Sequence, residues 1–198
     1  MTDQFIWAGR QDTDSAGDTR RLHQVVMPFN TSSENNATLI GFSCDEGVRR
    51  NHGRIGAAQG PDAIRRMLAN LPAHGIDCLF DAGNISCIDG KLEQAQLRLA
   101  DHVKQALSQR VFPLVLGGGH EVAYGTFLGI ASHLDQTLRT ERLLIINFDA
   151  HFDLRESDQA SSGTPFKQMS EWCRQAGVEF NYLCYGISQL GNTPALFS

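Results

Sequence analysis

At 198 residues, 41% hydrophobic and 20% charged, the chain has the size and composition of one ordinary globular domain with a substantial core. A net charge of −5 with no basic stripe argues against a nucleic-acid partner. No apolar run is long enough to span a bilayer and the N-terminus lacks the apolar centre of a secretion signal, so no membrane partner is expected either.

In chain order, residues 1–36 are polar and irregular, with Trp7 and Val25–Phe29 as expected anchors onto the body and a polar loop from Thr31 to Asn36. Ala37–Phe42 reads as the first core strand. Residues 43–60 form a long loop holding four glycines and three arginines, and a loop of that length in a compact domain is usually functional. Pro61 opens a helix with Asp62 near its positive end, and Ile64, Met67, Leu68 and Leu71 share helical spacing. Asp77–Phe80 reads as a strand ending in Asp81-Ala-Gly83. An amphipathic helix follows over 91–108, carrying Leu92, Ala95, Leu99, Val103 and Leu107. Then come a strand at 112–116, a helix at 121–133, a strand at 142–148, a loop to about 166, a helix at 168–176 and a strand at 181–185. Strands alternating with helices predict parallel βαβ units with helices on both faces of the sheet. No repeat and no internal domain boundary is visible. The five cysteines, Cys44, Cys78, Cys87, Cys173 and Cys184, show no paired spacing and read as reduced residues of a cytoplasmic protein.

Two stretches carry the chemistry. Arg142–Phe148 is a short apolar run that reads as a strand buried on both faces, and Asp149-Ala-His-Phe-Asp153 follows it. If the strand persists, Asp149, His151 and Asp153 point to one side. Two carboxylates and an imidazole at the end of a buried strand are costly unless a cation sits between them, although three hydrophilic loop residues would give the same letters. The second stretch is Phe112–Leu116, then Gly117-Gly-Gly-His120. The glycines allow a sharp turn and a close approach, and His120 falls at the carboxyl edge where α/β sheets gather ligands. Together the two stretches make a metal constellation.

With those motifs in that order, the chain resembles the ureohydrolase superfamily of arginases, agmatinases and formimidoylglutamases. Within it, Trp7-Ala-Gly-Arg10, Gly47-Val-Arg-Arg-Asn51 with Gly53-Arg54, His120-Glu-Val-Ala-Tyr-Gly125 and Ala160-Ser-Ser-Gly-Thr-Pro-Phe166 look like formimidoylglutamase. The resemblance implies a three-layer α/β/α fold with a mainly parallel sheet. It also implies a cofactor of two Mn2+ ions held by His120, Asp149, His151 and Asp153, with Asp149 bridging. A hydroxide held between the ions would attack N-formimidoyl-L-glutamate and release formamide and L-glutamate, a step of histidine degradation. Oxygen and imidazole ligands suit manganese, and a dicarboxylate substrate calls for guanidinium donors. Arg49, Arg54 and Arg155 are the substrate-binding candidates, with Arg50 beside them. Arg155 stands where arginases have an asparagine that contacts the amino-acid part of the substrate. Ser161-Ser-Gly163 replaces the arginase loop histidine, which favours formimidoylglutamase over arginase.

The family's third motif, Asp-x-Asp-x-x-Asp-Pro, and its downstream glutamate do not occur in the sequence. Residues 1–198 are therefore expected to be the N-terminal part of one family domain, with the sheet and the metal site both incomplete. Two alternatives to a formimidoylglutamase remain: a ureohydrolase acting on another guanidino compound, and an inactive chain that keeps the fold. The partner is a small molecule, and homo-oligomerisation is left open.

Overall fold

The structure is a computed structural model and describes residues 3–13, 16–30, 36–134 and 143–197. Its strands are β1 (Val26–Pro28), β2 (Ala37–Ser43), β3 (Leu79–Ser86), β4 (Phe112–Leu116), β5 (Leu144–Phe148) and β6 (Asn181–Tyr185). Its helices are α1 (Glu46–Arg50), α2 (Gly60–Ala69), α3 (Leu92–Ser108), α4 (Val122–Leu134) and α5 (Pro165–Ala176). Every pair of named strands is parallel, as the alternation of elements requires. They form a four-stranded sheet in the order β1-β3-β2-β4 and a two-stranded sheet of β5 and β6. Arg142, the first residue of the predicted strand 142–148, lies outside the described residues, as do Thr31 and the rest of 31–35.

β2 and β3 form the buried centre of the larger sheet. Ile40, Phe42, Ala82 and Ile85 pack on Leu92, Ala95, Leu99 and Val103 of α3, the helical stripe expected from spacing. The opposite face differs from the sequence expectation. Met67 is 77% exposed and Leu71 is 50% exposed, whereas Arg65 is fully buried. The physical reason is an ion pair. Arg65 Nε and Nη2 donate to the two carboxylate oxygens of Asp81 at 2.8 and 2.7 Å, and Nη1 donates to Asn84 Oδ1 at 2.5 Å. Trp7 Nε1 donates to the same carboxylate at 2.8 Å, which anchors the N-terminal segment. Space for this network comes from Gly41, where a Cβ would lie 1.9 Å from Asn84 Oδ1. Asp81 therefore lies within β3 rather than ending it. The strand continues through Gly83 at φ 76°, where its register against β2 shifts.

Around β5 and β6 a second core forms from Phe127 and Ala131 of α4 and Phe166, Met169 and Cys173 of α5. It covers one face only. Leu144 is 51%, Ile146 50% and Phe148 82% exposed, so β5 is not buried on both faces as its apolar run suggested. Phe112 and Leu114 of β4 and Leu183 and Tyr185 of β6 are exposed in the same alternating way. Among the described residues no helix is long and apolar enough to cross a membrane. All five cysteines are free.

Candidate metal centre

After β4 the chain turns through Gly117–Gly119 against the end of β2. Gly119 N–H donates to the Cys44 carbonyl at 2.8 Å, and a Cβ on Gly118 would fall 2.0 Å from that oxygen. Only glycine permits the approach, and it delivers His120 to the carboxyl edge. β5 stops at Phe148, so Asp149, His151 and Asp153 are not successive strand positions. A loop brings them together instead, and it needs Asp153 in the left-handed region at φ 47°.

His120 Nδ1 lies 2.6 Å from Asp153 Oδ2 and 3.2 Å from Asp149 Oδ2. One ligand atom from each of the three residues lies within 4.8 Å of the others, the spacing that a single shared ion would draw on. His151 stands on the other side of Asp149, with Nδ1 3.3 Å from Oδ1 and its backbone N–H donating to the same oxygen at 2.9 Å. Its side chain is half exposed and it does not join the three-residue group. The hydrogen bond to Asp153 holds the His120 imidazole above its ordinary pKa, against the opposing effect of burial, and the charge of Asp149 adds to it. An imidazole gathered with two carboxylates is a donor set that fits a divalent metal of manganese type.

The group opens into a cavity of about 890 Å3, whose wall includes Val48, Asn51, Arg155, Ser162 and Asn192. Arg155 Nη1 donates to Asn51 Oδ1 at 3.3 Å, and Asn51 Nδ2 donates to Ser162 Oγ at 3.2 Å. Of the arginines singled out, Arg155 alone lines the cavity. Arg49 is occupied by the Glu46 carboxylate at 2.7 and 2.6 Å, and Arg54 is exposed and outside the cavity wall. Arg50 is buried by Glu46, Glu93 and the Ala160 carbonyl. The placement of Arg49 and Arg50 follows from α1, which sets Glu46 three and four residues before them, the spacing at which helix side chains meet. Asn51 and Ser162 were not singled out from sequence, though both sit in stretches that were. Asn192 gave no signal. It joins because residues after β6 fold back onto loop 149–153, where its amide meets Ala150 O at 2.8 Å and Phe152 N–H at 3.1 Å.

The family model described as the Arginase family matches residues 35–197. The formimidoylglutamase of Cupriavidus pinatubonensis is 57% identical over 98% of the chain, and that of Paraburkholderia xenovorans 52% identical over 98%. The chain spans 63% of the length of each of these two curated relatives. The solved formimidoylglutamase of Bacillus subtilis shares the fold, with a TM-score of 0.76 at 21% identity over 95% of this chain and 57% of that one. Trypanosoma cruzi formiminoglutamase, solved with Mn2+, gives a TM-score of 0.72 at 27% identity over 87% of this chain and 59% of that one. With parallel strands, a glycine turn delivering His120 and a family match over most of its length, the chain belongs to the arginase family.

Proposed function

We propose that these residues serve a manganese-dependent hydrolase of N-formimidoyl-L-glutamate. Water adds its oxygen to the formimidoyl carbon, the bond from that carbon to the glutamate nitrogen breaks, and formamide and L-glutamate leave. The observation that carries the reading is Arg155 in the same cavity as His120, Asp149 and Asp153. A guanidinium there meets a substrate carboxylate as a bidentate partner and repels the ammonium tail of agmatine, which offers no carboxylate.

His120, Asp149 and Asp153 would hold the metal, and His151 would reach it from the far side of Asp149. The two oxygens of Asp149, one toward each histidine, support a carboxylate shared between two ions. Bound manganese lowers the pKa of water and orients it. Asn51 holds the Arg155 guanidinium from one side, and Ser162 holds Asn51 in turn. The relatives' name and the manganese of the Trypanosoma cruzi structure agree with this reading. A second reading, a chain that keeps the fold without activity, is favoured by one observation: His151 stands outside the three-residue group.

The test is formamide release from N-formimidoyl-L-glutamate with Mn2+. It compares residues 1–198 alone with the same residues joined to the remaining C-terminal part of the Cupriavidus pinatubonensis relative. The joined protein is expected to turn over this substrate and to leave arginine and agmatine almost untouched, while residues 1–198 alone stay inactive. Comparable turnover of agmatine would refute the substrate assignment.

A further inference from the structure

Glu121 follows the metal-ligand candidate His120 and is fully buried. Its carboxyl group is wedged between Gly119 of its own turn and Gly47 of α1. A Cβ on Gly119 would lie 2.0 Å from Glu121 Oε2, and a Cβ on Gly47 would lie 2.5 Å from Glu121 Cδ. Oε1 accepts the Gly47 N–H at 2.8 Å and faces the Cys44 thiol at 3.6 Å, while Oε2 has no hydrogen-bond partner among the described residues. A buried carboxyl with one oxygen unmatched is expensive, and its retention calls for an explanation.

The reason lies one peptide further on. Gly47 uses its N–H on Glu121 and its carbonyl on the Ser162 N–H at 3.0 Å, and the same carbonyl accepts the Asn51 N–H at 3.0 Å. Gly47 thus connects the metal loop to both loops that line the cavity, the one with Asn51 and the one with Arg155 and Ser162. Behind it, the backbone carbonyl of Glu121 accepts Gln96 Nε2 of α3 at 2.9 Å, which fixes the residue to the main core. We propose that Glu121 is a positioning residue: through the Gly47 peptide it sets the distance between the metal ligands and the Asn51–Arg155–Ser162 wall. This rests on the functional reading above for what the wall recognises, but not for the positioning itself. Arg50 independently ties α1 to the Ala160 carbonyl, so loss of the Glu121 contact loosens the wall without unfolding it.

Amide hydrogen exchange on the 198-residue protein tests this in Glu121→Ala and Glu121→Gln. Glutamine keeps an acceptor for Gly47. Alanine is expected to speed exchange at Gly47 and Ser162 by about tenfold, the scale of a lost buried hydrogen bond, while Leu99 and Val103 in α3 keep their protection. Glutamine is expected to restore both amides. Should alanine fail to fold, Glu121→Leu fills the space without an acceptor and is read the same way. In the second arm, run on the joined protein described above, L-glutamate in the presence of Mn2+ is expected to shift the Asn51 and Ser162 amides in the unsubstituted form and in Glu121→Gln, but not in Glu121→Ala, with Mn2+ affinity unchanged in all three. Unchanged exchange in the alanine variant, failure of glutamine to restore it, or equal loss of Mn2+ affinity and protection throughout α3 would overturn the proposal. If the joined protein without these substitutions ignores L-glutamate, the functional reading fails and the exchange arm alone decides the positioning.

Discussion

His120 Nδ1 and Asp153 Oδ2 meet at 2.6 Å across two loops, and Asp153 adopts a left-handed backbone to make the contact. A non-glycine residue there costs on the order of 1–3 kcal/mol, and such strain persists where the surroundings over-determine it, often at functional sites. Asparagine tolerates the same backbone and nearly the same volume but loses the charge. Asp153→Asn is therefore expected to weaken Mn2+ binding by roughly tenfold or more, at least the effect of losing an outer-shell partner, without lowering the melting temperature. Mn2+ titration followed by electron paramagnetic resonance measures it, and unchanged affinity would remove Asp153 from the ligand set.

The buried pair of Arg65 and Asp81 gives the clearest stability prediction. Arg65→Met keeps the length of the side chain but leaves the Asp81 carboxylate buried and uncompensated. Breaking such a pair on one side is expected to cost roughly 3–5 kcal/mol. Met67→Ala on the exposed side of the same helix should cost less than about 0.5 kcal/mol. Urea unfolding of both variants checks it, and the reverse order would mean that α2 buries the face its apolar spacing suggested.

That helix also shows where the sequence is readable and where it is not. The stripe Leu92, Ala95, Leu99, Val103 announces its buried face because hydrophobic burial follows periodicity. In α2 the orientation is set by one charge whose partner lies in β3, and no local pattern reports a partner that distant. The candidate metal ligands stand in recognisable motifs, yet the geometry that gathers His120, Asp149 and Asp153 is not the strand alternation. It is a loop with one left-handed residue. Likewise Arg49 and Arg54 look like Arg155 in composition, and only α1 reveals that Arg49 faces Glu46.

Glu46 gives a pH prediction. The hydrogen bond from Arg49, helped by Arg50 and opposed by partial burial, lowers its pKa from 4.5 to about 2. A depressed folded-state pKa contributes stability above the unfolded value, and that contribution is lost as pH falls through the folded one. Stability should therefore decline between pH 4.5 and about 2, and Glu46→Gln should show a flatter decline over this window. Urea midpoints taken across that range decide it, and parallel curves for the two proteins would show that Glu46 is not the titrating group.

The bare face of the two sheets predicts how the 198-residue protein behaves in solution. Phe112 and Leu114 on β4, Leu144, Ile146 and Phe148 on β5, and Leu183 and Tyr185 on β6 all expose alternate side chains. Phe148 and Tyr185 stack on each other at 5.6 Å, which leaves their outer surfaces uncovered. Parallel sheets are normally covered on both faces, and contiguous apolar patches beyond a few hundred Å2 drive association. Among the described residues β4 and β5 are moreover edge strands of their sheets, a position that presents backbone groups for pairing with another chain. Concentration-dependent self-association is expected in sedimentation velocity. Phe112→Lys with Ile146→Lys should suppress it, because both side chains are half exposed or more and each lysine introduces a charge that resists burial. Mn2+ affinity should be the same in the double variant as in the parent, which separates the face from the metal centre. A parent protein that sediments as a monomer at every concentration would show that the face is not sticky. Association that survives both lysines would place the contact elsewhere on the chain.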